Sequence, residues 1–157
     1  MLTGSVPRTT LSDPSKSAFG LPYPEVIVVA DIREEVEQYF RDFEEAVNSG
    51  DVDAFMNIQT PDVVWNPPDR ATVSGFDDVR KYLVDEWFAP SSMQLDMTVQ
   101  EALPVADEYT CTRGSWSIDL TPKDGSEAST VGGTFMWLLR KEGGEIKGAR
   151  TSFAMFD

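Results

Sequence analysis

Met93-Gln94-Leu95-Asp96-Met97-Thr98-Val99-Gln100 is the stretch on which the fold turns. Apolar and polar residues alternate along it, so Met93, Leu95, Met97 and Val99 share one face, as in a strand buried on one side. Upstream, apolar residues recur at helical spacing. Downstream come three more extended segments separated by turn sequences. The order is helices first and a meander of long antiparallel strands second, an α+β arrangement without the strand–helix alternation of a parallel nucleotide-binding sheet.

Working backwards, Asp31 and Glu34 have capping-box spacing, in which each side chain reaches the other's free backbone N–H. Ile32, Val36, Phe40, Phe43 and Val47 follow on one helix face, and Gly50 can supply the left-handed residue that ends it. Asp51 can cap a short second helix turning Val52, Phe55 and Ile58 inward, stopped by Thr60-Pro61. Val63-Val64-Trp65 reads as a short strand and Asn66-Pro67-Pro68-Asp69 as a loop, since consecutive prolines cannot continue a ladder. Ser74-Gly75 opens a third helix with Val79, Tyr82, Leu83 and Trp87 at helical spacing, ended by Ala89-Pro90.

Working forwards, strands are predicted from about Tyr109 to Leu120, Ser129 to Arg140 and Ile146 to Phe156. Lys123-Asp124-Gly125-Ser126 and Glu142-Gly143-Gly144-Glu145 are the turns between them. Gly132-Gly133 suits sheet curvature rather than a phosphate loop. Residues 1–30 read as an N-terminal arm containing Pro7, Pro14, Pro22 and Pro24, either disordered or packed over the domain through Phe19, Leu21 and Tyr23. Residues 31–157 read as one domain.

Composition narrows the chemistry. The 157 residues hold 13 Lys+Arg against 27 Asp+Glu, a formal net charge of −14, which argues against gripping nucleic acid or an anionic membrane. There is no histidine and only one cysteine, Cys111. Imidazole bases, His-dependent nucleophiles, His-ligated zinc, intrachain disulfides and thiolate metal cages are thereby excluded. Chemistry falls to carboxylates, phenols, hydroxyls, amides, Arg and Lys. The longest aliphatic run near the start, Val26 to Ala30, is far short of a membrane span, so a cytoplasmic location is expected.

From Val36 to Phe156 the chain resembles the SnoaL-like and ketosteroid-isomerase-like group of the nuclear-transport-factor-two superfamily. The resemblance rests on Asn48-Ser49-Gly50-Asp51-Val52-Asp53, Asp62-Val63-Val64-Trp65-Asn66-Pro67-Pro68, Val73-Ser74-Gly75, Arg113-Gly114-Ser115-Trp116 and Ile146-Lys147-Gly148-Ala149-Arg150. It implies a cone: a strongly curved antiparallel sheet, closed by three helices around an apolar pocket, commonly dimeric through the outer sheet face. The scaffold carries isomerases, cyclases, hydrolases, dehydratases and non-catalytic modules, so it implies fold more strongly than function.

Set against the family's chemistries, the isomerase base position falls on Asn66, its phenol donor on Phe43 and its acidic donor near Met136, none of which can play the part. The Asp-Arg-Asp set of the epoxide hydrolases would place its Arg at Arg113, but its carboxylates fall on Ser115 and Thr151. Neither classical ketosteroid isomerisation nor epoxide hydrolysis is expected.

The expected site is therefore Asn66, Asp69, Tyr82 and Arg113 as acid–base or hydrogen-bonding groups. Phe43, Ser115, Met136, Thr151 and Phe153 are expected against the substrate. Arg113, if inside the cone, would need a carboxylate or an anionic ligand. Trp116 and Trp137 are placed on the outer face or in the core. The expectation is a homodimeric pocket protein, metal-independent and without a cofactor. It would act as a cyclase, isomerase or dehydratase on a small apolar organic ligand. The alternative is a non-catalytic ligand-binding or dimerisation module that has lost the acid–base residues.

Overall fold

The computed structural model describes residues 29–156. Phe19, Leu21 and Tyr23, the anchors expected in the arm, lie outside the described residues. Helix α1 spans Val29–Ser49, so Asp31 is already within it rather than at its N-cap. Gly50 follows at φ 70°, the left-handed conformation expected of it. Asp51 caps α2 (Val52–Asn57) by accepting from the Ala54 N–H at 2.9 Å.

The sheet has six strands: β1 (Gln59–Asn66), β2 (Val73–Ser74), β3 (Ser91–Ala106), β4 (Tyr109–Pro122), β5 (Ser129–Glu142) and β6 (Glu145–Met155), with α3 (Phe76–Tyr82) between β2 and β3. Their order across the sheet is β2-β1-β6-β5-β4-β3. All pairings are antiparallel except β1 with β6, which is parallel. The result is the expected α+β cone, with one parallel seam in the sheet. Pro61, which was expected to stop a helix, lies inside β1. It is accommodated because the β1–β6 register slips between Gln59 and Val64, where no ladder bond is required of it.

The aromatic face of α1 packs against the inner face of the sheet. Val36, Tyr39, Phe40, Phe43 and Val47 are all buried. Phe40 packs against Phe135 at 5.1 Å between ring centres, and Phe43 against Trp137 and Phe55 at 4.8 Å each. The same helix covers the sheet edge. The Asn48 amide donates to the Leu95 carbonyl at 3.1 Å and accepts from the Leu95 N–H at 2.6 Å, as a neighbouring strand would. One turn earlier Glu44 accepts from the Met97 N–H. The open edge of β3 is thus partnered by side chains at Leu95 and Met97.

The inward residues of β4 are Thr110, Thr112, Gly114, Trp116 and Ile118; those of β5 are Gly133, Phe135, Trp137 and Leu139. Trp116 and Trp137 are therefore core residues, 8% and 1% exposed, and form no part of an outer apolar face. Gly114 permits a close approach, since a Cβ there would stand 1.9 Å from the Thr98 carbonyl oxygen and 2.8 Å from the Phe135 ring.

After α3 the chain winds into a π-helical turn, Leu83–Phe88, where a single longer α-helix was expected. The Ala89 N–H donates to the Val84 carbonyl at 2.9 Å, five residues back. In that turn the Trp87 ring lies 6.2 Å from the Tyr82 ring, and the two side chains meet.

Candidate functional site

The cone encloses a cavity of about 280 Å³. Phe43 from α1, Met93 and Leu95 from β3, Trp116 and Ile118 from β4 and Phe153 from β6 make its apolar walls. Pro67, Pro68 and Asp69, from the loop after β1, and Tyr82, Glu86 and Trp87, from α3 and the π turn, close its mouth. A larger depression of about 560 Å³ lies outside the cone between α1 and the β5–β6 turn. Its walls are mostly charged and polar side chains, and it lacks the apolar lining of a ligand chamber.

Tyr82 is the best-defined polar group of the cavity. Its hydroxyl accepts from the Trp87 indole N–H at 3.1 Å, which leaves its own proton to donate. Burial pushes its pKa above the usual phenol value, and the charge of Asp69 adds to the rise, so it stays protonated at neutral pH. Arg70 lies 5.0 Å from the Tyr82 ring centre and pairs with Glu86 at 3.3 Å. Asp69 and Glu86 are both exposed at the rim.

Of the residues expected at the site, Phe43, Asp69, Tyr82 and Phe153 line this cavity together. Asn66 does not line it. Its amide donates to the Thr151 carbonyl at 3.1 Å, and its oxygen accepts from the Thr72 hydroxyl at 2.7 Å, tying the Asp69 loop to β6. Thr151 is inward and 1% exposed but sits among core residues, with its hydroxyl unpartnered among the described residues.

Arg113, Ser115 and Met136 lie on the opposite, outer face of the sheet. Arg113 pairs with Glu101 at 2.7 Å and reaches Gln100 at 3.2 Å, with half its side chain exposed. The requirement for an anionic ligand disappears with its burial. Met136 is 59% exposed. The physical reason is strand parity: side chains alternate strictly, so turning Trp116 inward sends Arg113 and Ser115 outward.

Sequence reasoning missed Glu86, Trp87 and Trp116 as cavity residues. A helical pattern contained Trp87, but only the π turn directs Glu86 and Trp87 to the mouth together.

A curved sheet with helices packed over an apolar chamber is the architecture of this chain, and comparison with known proteins places it in a family of that fold. The SnoaL-like domain model matches residues 36–149. The chain belongs to that family. It is similar to a conserved protein from Planctomyces limnophilus DSM 3776, with a TM-score of 0.73 and 20% identity over 80% of this chain and 97% of that one. A ketosteroid isomerase-like protein from Erwinia carotovora atroseptica SCRI1043 gives 0.72 and 19%, over 79% and 95%. A type 2 hexachlorocyclohexane dehydrochlorinase, LinA, gives 0.73 and 12%, over 81% and 85%. At such identities the likeness shows the fold alone. No curated protein matches the sequence significantly. Among the described residues no helix is long and apolar enough to cross a membrane.

Proposed function

We propose that the chain is a metal-independent SnoaL-like enzyme that moves a proton on a small, largely apolar organic substrate held in the cone, as a cyclase, isomerase or dehydratase does. The observation that carries the reading is that the Tyr82 donor and the Asp69 carboxylate share one apolar chamber. Asp69 takes a proton from the substrate, and the Tyr82 O–H stabilises the oxygen on which negative charge develops. Asn66 acts at one remove, by holding the loop that carries Asp69. Arg113 has no part in the chemistry.

One observation favours the alternative, a non-catalytic binding module: the cavity's carboxylates are at its rim, and its buried walls carry none. The two readings separate in a thermal-shift screen of one- and two-ring compounds, with each binder then incubated and followed by mass spectrometry. An enzyme converts a binder, and Asp69→Asn lowers that conversion by about 100-fold while binding survives. Binding without conversion supports the module.

A homodimer through the outer sheet face belongs to the same proposal. It would be built on Met136 and its polar neighbours rather than on Trp116 and Trp137, and sedimentation equilibrium gives the stoichiometry.

A further inference from the structure

The walls and the rim of the cavity share one electrostatic character. We propose that its ligand is an organic cation, a one- or two-ring skeleton carrying an ammonium or quaternary nitrogen. This deepens the reading of the cone as a ligand chamber and rests on it.

Five aromatic rings line the chamber: Phe43, Tyr82, Trp87, Trp116 and Phe153. Four of them meet at steep angles, Tyr82 with Trp87 at 66°, Trp87 with Phe153 at 62° and Trp116 with Phe153 at 87°. Rings so inclined surround a volume instead of stacking into a slab. Aromatic faces are electronegative and attract a desolvated cation.

The charged groups that line the chamber are carboxylates, Asp69 and Glu86, and among the described residues no Lys or Arg lines it. Arg70, beside the rim, is already engaged by Glu86 and by the Tyr82 ring. That contact also shows a cation resting on one of the chamber's own aromatic groups. With one guanidinium against two carboxylates, the mouth keeps a negative balance. An anionic ligand would meet like charge there, and nothing inside would neutralise it. The net charge of −14 over the chain adds a long-range pull on cations. The anionic group expected beside Arg113 is replaced by its opposite, because Arg113 faces away from the cavity.

Size sets the skeleton. At about 280 Å³ the chamber falls just below the usual range of ligand pockets, about 300–1,000 Å³, so the skeleton it takes is small.

The test compares N,N,N-trimethylanilinium with tert-butylbenzene, its neutral isostere, and with benzoate, each titrated against the full-length protein by tryptophan fluorescence and calorimetry. The cation is expected to bind about tenfold tighter than the isostere, with benzoate weakest. Glu86→Gln and Asp69→Asn should each weaken the cation about three- to tenfold and leave tert-butylbenzene unchanged. Both side chains are exposed, so circular dichroism should show the fold retained. Equal or tighter binding of tert-butylbenzene, or preference for benzoate, overturns the cation and leaves the chamber standing. Binding of none of the three overturns both.

Discussion

The Trp87 indole N–H donates to the Tyr82 hydroxyl at 3.1 Å, across the π-helical turn that continues α3. The bond sets the direction of the phenol proton, because an oxygen that accepts from Trp87 is left to donate elsewhere. Trp87→Phe keeps an aromatic wall but removes the donor. It should cost about 1 kcal/mol of stability, read from urea midpoints, and lower affinity for any ligand that accepts from Tyr82. Unchanged affinity for such a ligand would mean that the bond does not orient the phenol.

Two phenols titrate late. Burial raises the pKa of Tyr39 against the opposing hydrogen bond from Gln59, and burial raises Tyr82 likewise. A phenol raised in the folded state binds its proton more tightly there than in the unfolded chain. Its contribution is therefore complete below about pH 10 and declines as pH rises past that value. Urea midpoints should fall above about pH 10. Tyrosinate absorbance should show two of the tyrosines ionising only with unfolding or at still higher pH.

Removal of the Asn48 amide should expose the β3 edge. Asn48→Ala breaks two hydrogen bonds to Leu95 and leaves its backbone groups without that partner, at a cost of about 2 kcal/mol. Light scattering on heating should start earlier as well, since an open edge pairs with other chains. A loss of stability with unchanged aggregation would show that the edge is protected by other means.

Asp62 accepts from Arg140 at 2.7 and 3.1 Å and from Arg150 at 3.3 Å, joining β1 to β5 and β6. The Arg140 hydrogen bonds chiefly hold its carboxyl well below the usual carboxylate range. A depressed carboxyl pKa contributes stability above about pH 4, and the contribution fades as pH falls below it. Asp62→Asn should cost about 1 kcal/mol at pH 7, modest because Asp62 is half exposed and screened by water. The difference from the wild type should shrink in titrations taken to about pH 2.

Thr151→Val should stabilise the protein. The Thr151 hydroxyl is buried beside Trp65 and Trp137, its cross-strand neighbours, and has no partner among the described residues. An isosteric methyl removes an uncompensated polar burial, a gain of about 1 kcal/mol in denaturant unfolding. A loss of comparable size would mean that the hydroxyl is hydrogen-bonded in solution.

What the chain determined by itself was whatever local periodicity encodes. Ile32 to Val47 defines a helix face because helical side chains recur on one side, and that face is the one buried against the sheet. Met93 and Leu95 alternate with Gln94 and Asp96 strongly enough to predict both strand and buried face. Asp69, Tyr82, Phe43 and Phe153 were legible as cavity residues because a family resemblance supplied the order of elements.

The first half of β4 carries no plainly apolar face of its own. Along Thr110-Cys111-Thr112-Arg113-Gly114-Ser115, one face carries Thr, Thr and Gly and the other Cys, Arg and Ser, so neither is plainly apolar and the alternation by itself does not say which side is inside. The α1 aromatics require partners, and Phe135 and Trp137 provide them from β5. Pairing with β5 then carries Trp116 inward and Arg113 outward. The parallel β1–β6 seam is likewise a tertiary feature, since it joins strands distant in sequence. Local pattern records which residues share a face and, where one face is plainly apolar, which way it turns; where neither is, the packed neighbours decide.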